Sequence, residues 1–215
     1  VTESEIIAFV HRLGLHGAEK EAIMAALLNF PVDCLSRGMF AKGVLKAAER
    51  PVGALEAELL QQRARYPKRI MGFQLYPHRD FYLVFYSVAT TLYPDKTLAE
   101  GMRLLAESFY PIFASSLIGR TMSALIGKTP ADVLSRFAEA YKIATPWCEH
   151  SITQVEPNRL LWHCTVEPCP HYTSTFAGIC TGMVRTVTGI TPEFETLSIE
   201  HAGDRQKFVF QISWR

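Results

Sequence analysis

His163, Cys164, Cys169 and His171 fall within nine residues of one another, and Cys180 follows one helix later. Thiolate sulfur and imidazole nitrogen are zinc ligands, so metal binding is the first chemistry to weigh. The spacing argues against it. His163 and Cys164 are neighbours in an alternating stretch and so face opposite sides of a strand, and no Cys-x-x-Cys occurs. The expectation is buried thiols with incidental histidines and no metal. Gly127-Lys128-Thr129 has the end of a phosphate-binding loop, but the glycine needed five residues earlier is Met122. Thr129 is better used as a helix cap. No Gly-x-Ser-x-Gly is present and no cysteine stands in an activating context, so no catalytic residue is assigned and no enzyme is expected.

The elements that would position these residues change character along the chain. Thr2-x-x-Glu5, Thr97-x-x-Glu100 and Thr129-x-x-Asp132 are helix-start boxes, the last with Pro130 in its first turn. Apolar residues recur at helical spacing over 5–13, 18–30, 37–49, 51–65 and 77–92. Leu98, Met102, Leu105, Phe109 and Ile112 carry the pattern through 97–117, where Pro111 predicts a kink. The period then falls to two. Leu160, Trp162, Cys164 and Val166 alternate with polar residues, as do Phe208, Phe210, Ile212 and Trp214. Strands are predicted over 147–156, 159–167, 193–201 and 206–214, with a helix over 173–187 that ends at Gly189. The fold class is α+β. About six helices over 1–145 pack with a β-β-α-β-β antiparallel part over 146–215, and no linker separates them, so 1–215 reads as one domain. Gly178-x-x-x-Gly182 on the last helix predicts close backbone packing.

Composition excludes several classes. The chain has 215 residues and a net charge of +1, with no basic run longer than Lys68-Arg69, so neither a nucleic-acid partner nor a charge-driven membrane surface is expected. Its most apolar stretch, 81–93, is too short and interrupted for a transmembrane segment. Five unpatterned cysteines and a polar, acidic start predict a reducing, cytoplasmic location.

Arg37-Gly38-Met39-Phe40 with Gly43-Val-Leu-Lys46, then Tyr76-Pro77-x-Arg79-Asp80-Phe-Tyr82, Gly119-Arg120, Gly178-x-x-x-Gly182 and a closing strand ending in Trp214 resemble a myxobacterial family of paralogous proteins of unknown function, over 36–214. The architecture is also similar to the superfamily of haem-nitric-oxide-binding (H-NOX) domains, four-vinyl-reductase-type domains and Bet3-like subunits of the TRAPP tethering complex. H-NOX domains carry Tyr-x-Ser-x-Arg ahead of the last helix to hold haem propionates. Here the matching place reads Tyr172-Thr-Ser174-Thr-Phe176, without the arginine, and 97–117 has no histidine for an axial ligand. No haem and no other cofactor is expected. The resemblance implies a cavity between helices and sheet. Phe109, Phe113, Tyr172, Phe176 and Cys180 are its candidate lining, for a small hydrophobic molecule in a sensory domain. The alternative is a Bet3-like docking module that takes a protein partner or forms a homodimer without ligand.

Overall fold

Threonine hydroxyls begin three of the helices. In the computed structural model, which describes residues 1–115 and 127–215 apart from the Phe113 side chain, Thr2 caps α1 (Glu3–Arg12) and Thr129 caps α8 (Pro130–Ala144). Each does so in a reciprocal box, with Glu5 and Asp132 returning a bond to the cap's backbone N–H. Thr97 accepts from the Glu100 N–H at the start of α6 (Leu98–Glu107). The remaining elements in chain order are α2 (Gly17–Asn29), β1 (Leu35–Arg37), α3 (Met39–Val52), α4 (Ala54–Arg63), β2 (Leu75–Pro77), α5 (His78–Leu92) and α7 (Phe109–Ser115). After α8 come β3 (Glu149–Glu156), β4 (Arg159–Val166), α9 (Tyr172–Thr188), β5 (Glu193–Ala202) and β6 (Arg205–Ser213). The expected α+β order and the β-β-α-β-β ending are therefore observed.

The four-stranded sheet is antiparallel in the order β3-β4-β6-β5. Its inner face is the alternating row already visible in sequence: Leu160, Trp162, Cys164 and Val166 on β4, with Phe208, Phe210 and Ile212 on β6, all buried. Arg205 binds the Glu149 carboxylate at 2.7 Å and the Thr165 carbonyl at 2.9 Å, which ties β6 to β3 and β4. α9 lies between the sheet and α6. A Cβ at Gly178 would overlap the Arg103 carbonyl, and one at Gly182 would overlap the Glu107 carbonyl. Only a hydrogen side chain allows this approach. Arg185 on α9 forms an ion pair with Glu107 beside the crossing, and Arg103 meets the same carboxylate at 3.1 Å. α5 is buried around most of its surface, from Phe81 through Ala89, and so forms the centre of the helical part. One cluster of buried apolar side chains extends from Ile6 on α1 to Trp214.

Among the described residues eight helices precede the four-stranded sheet, where about six were expected. Three expectations are corrected. Leu35–Arg37, expected to open a helix at Arg37, is a strand paired antiparallel with Leu75–Pro77. Helix 97–117 is broken rather than kinked. Ser108 ends α6, its hydroxyl donating to the Leu105 carbonyl at 2.6 Å, and Pro111 falls in the first turn of α7. Proline there has no N–H to give the Glu107 carbonyl, so the ladder stops one turn earlier. Gly119-Arg120 and the tail of this helix lie outside the described residues. Pro51, expected to open the next helix, is the penultimate residue of α3, and Gly53 at φ +84° separates α3 from α4.

Candidate functional site

Where α8, the sheet and the first turns of α9 meet, aromatic rings converge on Phe176. Tyr172 stacks on it at 5.7 Å between centroids, Phe210 at 5.1 Å and His150 at 6.1 Å, while Trp162 approaches edge-on at 4.9 Å. Tyr141 of α8 and Phe194 of β5 complete the enclosure, and Phe176 is 1% exposed. The helix period places Tyr172, Thr175, Phe176, Ile179 and Cys180 on the buried side of α9.

Polar atoms sit among these rings. His150, paired with Cys164 across β3 and β4, accepts the Trp162 indole N–H on Nδ1 at 3.0 Å. A neutral imidazole with an accepting Nδ1 carries its proton on Nε2, and that Nε2 is buried with no partner. Burial, and then the nearby Lys142 charge, push the His150 imidazole down to about 4, so it is neutral at physiological pH. The Thr175 hydroxyl is also buried and unpartnered. The Tyr172 hydroxyl lies beside the Cys164 thiol, a weak partner. A donor and a hydroxyl held within a buried aromatic wall can orient a ligand that has one acceptor on an otherwise apolar body.

A second buried histidine lies deeper in the helical part. His78 is walled by Phe30, Phe81, Tyr82 and Trp147, and burial pushes it down to about 3. The thiols are buried too, and burial raises all five: Cys34 to about 11, Cys164 and Cys169 to about 12, and Cys148 and Cys180 well above the ordinary value. Such thiols are inert hydrophobes rather than nucleophiles.

Of the lining expected from sequence, the structure gathers Tyr172 and Phe176, with Cys180 a turn further along the same helix. Phe109 joins a different group, edge-on to Phe85 at 5.4 Å. Phe113 falls outside the described side chains. His150, Trp162 and Thr175 are additions that sequence reasoning missed. The metal candidates are dispersed: His163 is on the outer face of the sheet, Cys164 on the inner, Cys169 is beside Tyr86, and His171 is 3.2 Å from Glu19. Among the described residues no group of three potential ligands could hold a metal ion. The outer face of the sheet also bears a concavity of 390 Å³ lined by Glu149, Ser151, His163, Thr165, Ser198 and Lys207.

These residues do not suit a haem group. Tyr172 to Phe176 form the opening turns of α9 itself rather than the chain ahead of it, and their last position is a buried phenyl ring where a propionate clamp needs a cation. The stretch 97–126 has no histidine. With its Nδ1 accepting from Trp162 and its proton on Nε2, His150 has no lone pair free for iron, and four rings enclose His78.

Residues 32–215 match the family described as "Protein of unknown function (DUF2378)". No curated protein matches the chain. Solved structures do. A variant of the Tt H-NOX domain is 11% identical, with a TM-score of 0.67 over 83% of this chain and 95% of that one. An oxygen-binding H-NOX domain related to soluble guanylate cyclases, in its oxygen complex, is 12% identical at the same TM-score and coverage. A Cs H-NOX domain with 4-cyano-L-phenylalanine is 12% identical, with a TM-score of 0.65 over 83% and 96%. At these identities the likeness is one of fold.

Proposed function

We propose that this chain, which belongs to the DUF2378 family, is a sensory domain whose Phe176 region takes up a small apolar molecule bearing one hydrogen-bond acceptor. The observation that carries the reading is the buried, unpartnered Nε2 of His150 within a ring of aromatic side chains. A buried donor without a partner costs about 1–3 kcal/mol, and a ligand acceptor would recover that cost. The Phe176 ring would give way to the ligand's apolar body, with Tyr172, Thr175 and Cys180 beside it. α9 contacts both the sheet and α6, so a ligand at its first turns would act on both. The H-NOX-like fold supports the sensory reading, and the shared core supports treating residues 1–215 as one domain. A cytoplasmic location is part of the same proposal. Among the described residues no helix is long and apolar enough to cross a membrane.

The test is a mass spectrum of organic extracts from purified protein, followed by thermal shifts with aromatic and acyl compounds. Compounds with an acceptor should bind about tenfold better than their hydrocarbon analogues, and His150→Phe should remove that preference. An empty extract with no shift from any compound would overturn the reading. So would a Soret band at one haem per chain.

A docking role is the second reading. It is favoured by β5, an edge strand whose Leu197 and Ile199 are half exposed, which could add to a strand of a partner or a second copy. A strict monomer by light scattering, with no partner recovered, would dismiss it.

A further inference from the structure

Exposed apolar residues gather where the loop between α4 and β2 meets the start of α3 and the end of α8. Phe73 is 62% exposed, Met71 51%, Leu75 39% and, on α8, Ile143 66%. Arg37 joins the two segments, its guanidinium donating to the backbone carbonyls of both Ile143 and Phe73. The loop backbone is otherwise occupied: the Met39 N–H donates to the Gly72 carbonyl at 2.9 Å, Gly38 to Gln74 at 2.9 Å, and the Met71 N–H reaches the Tyr76 hydroxyl at 2.9 Å. These apolar side chains are therefore held out by a fastened turn. Lys42 in the first turn of α3, Arg69 in the loop and Lys142 next to Ile143 in sequence are all exposed and, among the described residues, without an ion-pair partner. Lys68 reaches Glu58. The loop 66–75 has no carboxylate, and neither has the segment 35–48. A net charge of +1 conceals this local segregation, which is why the expectation of no membrane surface does not extend to this face.

We propose that this face docks on an anionic membrane surface, with Phe73, Met71, Leu75 and Ile143 entering the interface and the cations meeting lipid phosphates. Bulky apolar residues rimmed by unpaired lysine and arginine are the composition that an acidic headgroup layer selects. The apolar residues stand on a turn at Gly72-Phe73 rather than lining a groove. Two concavities lie elsewhere among the described residues, on the outer sheet face and beside α1. An amphipathic acidic helix would need a groove. The inference is independent of the interior site.

The experiment is flotation of the full chain with vesicles of phosphatidylcholine alone and of equal parts phosphatidylcholine and phosphatidylglycerol. Binding is expected only to the second, falling as salt rises. Phe73→Ser with Met71→Ser should weaken it about tenfold, and so should Lys42→Glu with Arg69→Glu, with far-UV circular dichroism unchanged in both variants. Equal binding to neutral vesicles, no binding to either, or binding that the surface variants leave intact would overturn the proposal. A dimer or an acidic peptide complex that Phe73→Ser dissolves, in the absence of vesicle binding, would assign the face to a protein partner instead.

Discussion

A thiol costs little to bury while neutral and a great deal once ionised, and this asymmetry makes the five cysteines a probe of the interior. All are buried and all are raised by burial. A thiol reagent at neutral pH should label none in the native protein within minutes and all five in denaturant; prompt native labelling of Cys164 or Cys180 would show that the Phe176 region opens. The histidines make a second prediction. His78 and His150 titrate near 6.5 when unfolded and near 3 and 4 when folded, so below pH 6.5 the unfolded chain binds protons that the native one refuses. Their contribution is complete above 6.5 and is lost as pH falls toward 4 and then 3. Asp80 and Glu167, raised chiefly by burial, oppose this once carboxylates begin to protonate. The cleanest window therefore lies above about pH 5. Urea midpoints should fall across it, by up to about 1.4 kcal/mol per pH unit per histidine, and His150→Gln should flatten the slope. At this scale the sequence was half legible. Helical spacing puts Phe176 and Cys180 on one face and the resemblance to the H-NOX motif singles out Tyr172, but nothing in the sequence marks His150, because its partners depend on hairpin register. That register shifts at the bulge between Gln154 and Glu156.

Elements with strong local punctuation could be read directly. Thr2 and Thr129 cap in the reciprocal boxes expected, Thr97 caps without a return bond from the Glu100 side chain, and α9 ends at Gly189 in the left-handed region. Elements defined by remote contacts could not. The three-residue strands β1 and β2 have no period to detect, and the apolar stripe runs through Ser108 without interruption, which hides the break between α6 and α7. The Gly178 and Gly182 pair gives the sharpest test of packing. Adding a methyl at either position against a fixed carbonyl should destabilise by about 1–3 kcal/mol. Gly43→Ala on α3, where a Cβ meets open space, should be neutral or stabilising by about 0.5–1 kcal/mol. Thermal midpoints of the three variants would decide; equal shifts would mean that helix propensity, not the crossing, sets the cost.

For the molecule as a whole, the pattern switch from helical to alternating spacing was enough to place the sheet last, and the H-NOX-like likeness agrees with it. What the sequence could not reveal was charge placement in space, since a near-neutral total is compatible with any surface distribution. The close crossing of α9 over α6 has a mechanical consequence. Gly178 and Gly182 straddle the midpoint of a seventeen-residue helix, so the contact with α6 is a fulcrum with an arm of about 12 Å on either side. One arm ends at Tyr172, against the aromatic interior, and the other at Thr188, where the chain turns toward β5. A rigid rod held at its centre tilts rather than translates. A displacement of the Tyr172 end would thus reach the edge strand reversed in direction and nearly undiminished.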